Sequence, residues 1–351
     1  MGKESHHMQN DICKSLLFRI CVVLLLVTTL RLFAQEAHVG PVTDLVIVEN
    51  LIYSCSQGGV FVQKDGRENL VYRPHFRVIS LASFDGSNLL LFVGGQPGIS
   101  GEIGLLDLET KHFETLEIAK DLIYSVDATG NQAAMACADG RVLITSFAKP
   151  ILHSKPSLSE APISIMHKHT SVARAVQFSP DGKWLASVGL DGIVMLSAVT
   201  PYALSVAGKT MRKEANPPII LQDHSAKVEC VVFSPDSKLL ASGARDGKIR
   251  IHTIGGRLVR TYTGLGTEVE NAEDFGQNPY IWALAWGGEP QALIAGSAKG
   301  TLYQLALTDN RWERMKWPHD GPIYSLIFDA MGKLHVGTEK VAQLPTPFAD
   351  D

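Results

Sequence analysis

Cysteine is scarce in this chain, with five in 351 residues, and two of them, Cys13 and Cys21, fall within the first thirty. Cys55, Cys137 and Cys230 are an odd number, lie far apart, and each sits in an apolar stretch without metal-type spacing. This speaks against a disulfide framework or a zinc cluster and makes them small buried hydrophobes. The sequence also lacks a G-x-S-x-G elbow, a phosphate-cradling glycine loop, a paired Cys-x-x-Cys and an H-E-x-x-H helix. A non-enzymatic chain without a cofactor is therefore expected. Past residue 40 no long amphipathic helix can be drawn. The formal net charge of −4 disfavours nucleic-acid binding.

What is present divides in two. Lys3, Lys14 and Arg19 precede the apolar run Ile20 to Leu30, and Ala34 follows. That is the n-region, h-region and processing site of a secretory signal, so residues 1–34 are read as a signal peptide cleaved near Ala34. As a helix the run reaches only about 16 Å, roughly half a bilayer core. An exported protein, periplasmic or extracellular and without a membrane span after cleavage, is expected; an anchor made by the uncleaved segment is the alternative.

The remainder, 35–351, is organised around a repeat. His169 to Ser197 reads HTSVARAVQFSPDGKWLASVGLDGIVMLS, and His224 to His252 reads HSAKVECVVFSPDSKLLASGARDGKIRIH. The two align without a gap. In each, a His precedes a Phe by nine residues, and the interval recurs from His38 to Ile47, His75 to Phe84 and His319 to Phe328. Ile123-Tyr124-Ser125-Val126 and Ile281-Trp282-Ala283-Leu284 supply the apolar strand without the His, which makes seven units. Within a unit, Val228 to Phe233 reads as a strand covered on both faces, Ser234-Pro235-Asp236 breaks it, Leu239 to Ser242 is a second strand, and Asp246-Gly247 is a hairpin signal before a third. A variable fourth strand, Pro218 to Gln222 or Leu258 to Thr263, completes the unit. Seven units of roughly 40 to 45 residues with four antiparallel strands are what a β-propeller needs. Blade seven runs out after Leu344, so its outer strand is expected from Gln35 to His38. Three connections are enlarged: Lys149 to Ile165, Ala207 to Asn216 and Gly264 to Asn278.

On these residues the chain resembles the WD-repeat β-propellers, in a divergent form assigned to an exported bacterial type. The resemblance implies a buried network of His, Ser or Thr, Asp and Trp within a blade. Blade four supplies His169, Ser187 and Asp191, and blade five supplies His224, Ser242 and Asp246. The Trp positions hold Ser197 and His252, which leaves both networks incomplete. His167 and His169 could chelate, but no third ligand is visible.

The resemblance also implies partner binding at the channel mouth, six and four residues before the Phe. Those positions are Val172 and Arg174, Lys227 and Glu229, Tyr280 and Trp282, Pro322 and Tyr324, with Tyr124 and Arg245 on the same rim. Tyr, Trp and Arg carry binding energy at interfaces; the same rings would also serve to fill the mouth. A monomeric scaffold binding protein partners is expected, and a propeller enzyme or small-ligand or glycan-binding protein using the central channel is the alternative.

Overall fold

The computed structural model describes residues 40–147, 157–199, 217–263, 265, 280–287, 292–307, 311–319 and 321–344. The signal segment, the strand expected from Gln35 to His38, the connection Ala207 to Asn216 and, apart from Leu265, the connection Gly264 to Asn278 lie outside the described residues. Within them the chain forms seven antiparallel sheets in succession, each strand pairing only with its neighbours in sequence. The innermost strands are Asp44–Val48, Arg77–Ser83, Ile123–Thr129, Ala173–Phe178, Val228–Phe233, Ile281–Trp286 and Ser325–Phe328. Six sheets have four strands, including the weakly patterned sixth, and the described part of the seventh has three. This is the all-β, seven-bladed propeller. The expected fourth strands appear as Ile219–Leu221 and Leu258–Tyr262. The connection after Lys149 ends sooner than its Pro and Ser content suggests, because Ile163–Lys168 is already the outer strand of blade three.

The core lies between blades rather than within them. Phe84, Leu91 and Ile103 of blade two bury against Ile123, Met135 and Leu143 of blade three, and Tyr262 of blade five against Trp286 and Tyr303 of blade six. A blade is thus packed on both faces, which is why Val228–Phe233 is buried at every residue. The three described cysteines are free and buried, and burial pushes the Cys137 thiol up to about 12. The turns follow from side-chain chemistry. Ser234 Oγ donates to Asp236 at 2.6 Å and accepts from the Leu239 N–H at 2.9 Å. In the Asp246-Gly247 hairpin, Asp246 accepts from the Lys248 N–H while Gly247 takes φ +68°, a left-handed conformation suited to glycine.

One irregularity recurs and decides the geometry of the mouth. Near the start of the inner strands the register skips one residue, between Ala173 and Ala175, Val228 and Cys230, Ile281 and Ala283. Tyr124 is skipped likewise between Ile123 and Ser125. In blade two the skip falls between Val78 and Ser80. That places Ser83, not Phe84, at the position of Phe178 and Phe233, so the interval from His75 misses the blade-two register by one residue. His75 instead pairs with Glu102 at 2.9 Å from an exposed position.

The ring closes through packing. Val42 N–H donates to Thr338 O at 2.7 Å, the same joint that Ile323 N–H makes to Ser297 O between blades six and seven. Ser325 Oγ adds a bond to Asp44 at 3.2 Å.

Candidate functional site

The skipped residue of a bulge leaves the regular pleat, and its side chain is re-aimed. Around the ring the skipped residues are Ile79, Tyr124, Arg174, Glu229 and Trp282. In blades one and seven Thr43 and Tyr324 donate their N–H groups to the carbonyls of Cys55 and Gly337, the residues that already pair with Asp44 and Ser325. Of the rim positions inferred from spacing, those lying four residues before the Phe are therefore bulge positions, aliphatic or small in blades one and two and aromatic or charged from three to seven.

Along that arc the side chains touch. Glu229 is 5% exposed, and its carboxylate accepts from Arg174 Nε at 2.8 Å and from Arg245 Nε at 2.5 Å. The Arg174 guanidinium lies over the Tyr124 ring at 5.2 Å, and that of Arg245 over the Tyr280 ring at 5.4 Å. Trp282 stacks on Tyr324 with centroids 5.4 Å apart and planes at 28°. A buried carboxylate is costly unless paired, so Glu229 fixes both arginines, and the tyrosines confine them further. Lys227 is not drawn into the cluster; it stands exposed, and its carbonyl accepts from the Arg245 N–H. Tyr280 is 42% exposed. Burial raises the Tyr324 hydroxyl above its ordinary pKa, with Glu339 adding to the effect.

Below the rim lies a channel of about 510 Å³ lined by all seven inner strands. Asp44, Ser80, Ser125, Asp127 and Gln177 on its wall bond to the propeller itself, whereas the buried Trp282 and Trp286 Nε1–H groups find no acceptor among the described residues. Asp44 accepts from Leu81 N–H and Ser80 Oγ, Ser80 Oγ from Val126 N–H, and Ser125 Oγ from Val176 N–H. Asp127 accepts from Phe178 N–H at 2.6 Å and Gln177 from Phe233 N–H at 2.8 Å. Apart from the Ser80 hydroxyl's bond to Asp44, each satisfies a backbone N–H on the inner edge of the next blade, and burial pushes the Asp127 carboxyl up to about 7. No histidine lines the channel, and among the described residues no group of three His, Cys, Asp or Glu could hold a metal ion.

The two buried networks are more complete than the missing tryptophans imply. In blade four His169 Nδ1 faces Asp191 at 3.1 Å and Nε2 meets Ser187 Oγ at 2.9 Å. His167 Nε2 meets the same Ser187 oxygen at 2.7 Å, and its Nδ1 meets Ser197 Oγ at 3.2 Å. His167 occupies the missing corner rather than a metal site. In blade five His224 Nε2 meets Ser242 Oγ at 2.9 Å, with Nδ1 3.3 Å from Asp246. Arg250 Nη1 lies 2.6 Å from that Nδ1 and 3.0 Å from Asp246 Oδ2, while His252 turns away to Asp223 at 2.7 Å. Sequence reasoning passed over Arg250 and Asp223. The available signal was position: Arg250 pairs directly across from Ser242, where the aligned residue of blade four is Met195.

Residues 160–196 and 216–253 match the family "WD domain, G-beta repeat"; each match spans the outer strand of one blade and the first three strands of the next, blades four and five respectively. The chain is similar to Protein HIR1 of Eremothecium gossypii, 28% identical over 36% of this chain and 17% of that protein. It is also similar to Actin-interacting protein 1 of Drosophila melanogaster, 27% identical over 48% of this chain and 25% of that protein. The matched part thus spans about a quarter or less of these relatives. Among solved structures, the WD40 β-propeller domain of Doa1 superposes with a TM-score of 0.64 at 16% identity, covering 88% of this chain and 93% of that one. That likeness is one of fold.

Proposed function

We propose that the chain is an exported, non-enzymatic WD-repeat propeller of bacterial type that scaffolds protein–protein contacts, acting as a monomer and binding partners through the rim from Tyr124 to Tyr324. The observation that carries this reading is the Glu229 clamp. It holds two half-exposed arginines in fixed positions, each against a tyrosine, beside a stacked Trp–Tyr pair. Rigid aromatic and guanidinium surface loses little entropy on binding and is the composition that hot spots favour. The name of one relative, an actin-interacting protein, supports a role in contacts between proteins. The alternative of an enzyme or small-ligand binder in the channel is disfavoured because Asp44, Ser80, Ser125, Asp127 and Gln177 already bond to backbone. Export rests on the charged start and apolar run of residues 1–34. Among the described residues no helix is long and apolar enough to cross a membrane.

The test is capture of partners from envelope extract by purified wild type and by the Tyr280→Ala, Trp282→Ala and Tyr324→Ala variants. Proteins retained by the wild type are expected to drop at least tenfold with Trp282→Ala. An unchanged set across all three variants refutes the rim. N-terminal sequencing of the mature protein tests export, and an intact Met1 overturns it.

A further inference from the structure

A second surface lies outward of the rim, where blade six meets blade seven. A groove of about 490 Å³ is lined by Lys299, Arg314, Met315, Lys316, Trp317 and His319, with Gly300, Thr301 and Pro318 between them. Among the described residues no acidic side chain lines it. Lys299, Arg314 and Lys316 are exposed and form no ion pair with any described residue. Glu313 is next to Arg314 in an extended strand and alternates to the other face; Asp320 lies outside the described residues.

The repeat explains why this charge stands unpaired. Ala244 and Ser297 hold the same register position in blades five and six, opposite Val228 and Ile281, so Lys299 occupies the place of Asp246. By the same register Lys340 takes that place in blade seven, so His319, in phase with His169 and His224, finds no carboxylate at that position. It stays exposed, with its ring 4.8 Å from Trp317. Where blades four and five bury a His–Asp pair, blades six and seven present cations. Like charges gathered without a counter-charge destabilise the free protein, and an anionic ligand relieves that cost.

We propose that this groove docks an acidic segment of a protein partner, with carboxylates on the three cations and an apolar side chain on Trp317 and Met315. The apolar floor of Trp317 and Met315 favours an acidic peptide, which carries apolar side chains between its carboxylates, over a nucleic acid. The surface is separate from the rim and holds whether or not the rim is a binding site.

The experiment measures fluorescence anisotropy of a labelled dodecapeptide of alternating Glu and Leu, against a Gln–Leu control, with the full chain at 50 and 300 mM salt. Wild type should bind the Glu peptide and lose at least tenfold in affinity at the higher salt. Lys299→Asp, which restores the residue type of blades four and five, and the double variant Arg314→Ala/Lys316→Ala should each weaken binding at least fivefold with unchanged melting temperature. Trp282→Ala should leave it unaltered, which separates this groove from the rim. Equal binding of the Gln peptide, unchanged affinity in both groove variants, or binding to anionic phospholipid vesicles in place of the peptide overturns the proposal.

Discussion

Blades four and five begin from nearly the same sequence and close their buried clusters with different chemistry. In blade four the pairing of donors with acceptors gives one consistent order. His169 Nδ1–H donates to Asp191, so its Nε2 accepts from the Ser187 hydroxyl. Ser187 in turn accepts from His167 Nε2–H, and His167 Nδ1 accepts from Ser197. Both imidazoles are neutral, and burial lowers both pKa values, that of His167 to about 4. In blade five Arg250 can only donate, so His224 Nδ1 must accept and its Nε2–H points to Ser242, the reverse tautomer. Burial works to raise the Asp246 carboxyl, but the Arg250 guanidinium and the Ser225 N–H that donate to it hold it well below the usual range. One substitution site, Met195 against Arg250, sets a buried cation beside a turn carboxylate that in blade four meets only neutral donors. The lesson is that the missing tryptophan is compensated locally and differently in each blade.

The largest effect that separates the two blades should come from the turn aspartates. Asp246→Ala strands Arg250, whose side chain is 8% exposed, as an unpaired buried cation. Breaking such a pair costs about 3–5 kcal/mol. Asp191→Ala removes acceptors from the neutral His169, the Thr170 N–H and the Ile193 N–H and leaves no charge behind, which costs about 1–3 kcal/mol. Urea denaturation of both variants measures the difference. Equal losses would mean that Arg250 is not the organising charge of blade five, and the added substitution Arg250→Met should recover part of the Asp246→Ala loss.

The serines should reverse the order with a smaller effect. Ser187 serves two imidazoles, and Ser242 serves one. Ser187→Ala leaves a donor and an acceptor unpartnered in the interior, about 2–4 kcal/mol, against about 1–2 kcal/mol for Ser242→Ala. Thermal melts under one buffer check it, and a larger loss in Ser242→Ala would refute the shared role of Ser187.

Much of this architecture was legible beforehand because it rests on local chemistry. The Ser-Pro-Asp and Asp-Gly turns, the alternation of strands and the offset of the rim residues depend on a few neighbouring positions. The seven blades followed from them, while the rim positions were implied by the resemblance to WD-repeat propellers. What escaped depends on register and on contacts across blades. The His75 spacing misplaced blade two by one residue, since a bulge is set by pairing with the next strand and not by the histidine. The Glu229 clamp joins Arg174 from the preceding blade, and no spacing within one repeat reveals whether those side chains meet. The fourth corner of blade four is the same kind of miss, since His167 reaches Ser187 only because the outer strand of blade three abuts blade four, whereas Arg250 lies across from Ser242 within blade five.

The smallest separation lies in pH. A histidine whose folded pKa lies below its unfolded value of about 6.5 takes up its proton more readily when unfolded. Stability from such a group is complete above pH 6.5 and is lost as pH falls through 6.5 towards the folded value, about 4 for His167. At pH 5.5 one such group lowers local protection by about tenfold. Blade four has two, His167 and His169, whereas in blade five burial lowers His252 but Asp223 counteracts it. Hydrogen exchange of Trp184–Gly189 and Leu239–Ala244, corrected for intrinsic rates, should therefore show the greater loss in blade four between pH 7 and 5.5. His167→Gln keeps a donor for Ser187 and removes one titrating group, so it should reduce that loss to about a tenth. If the two strands lose protection equally, or His167→Gln leaves the loss intact, the neutral order assigned to blade four is wrong.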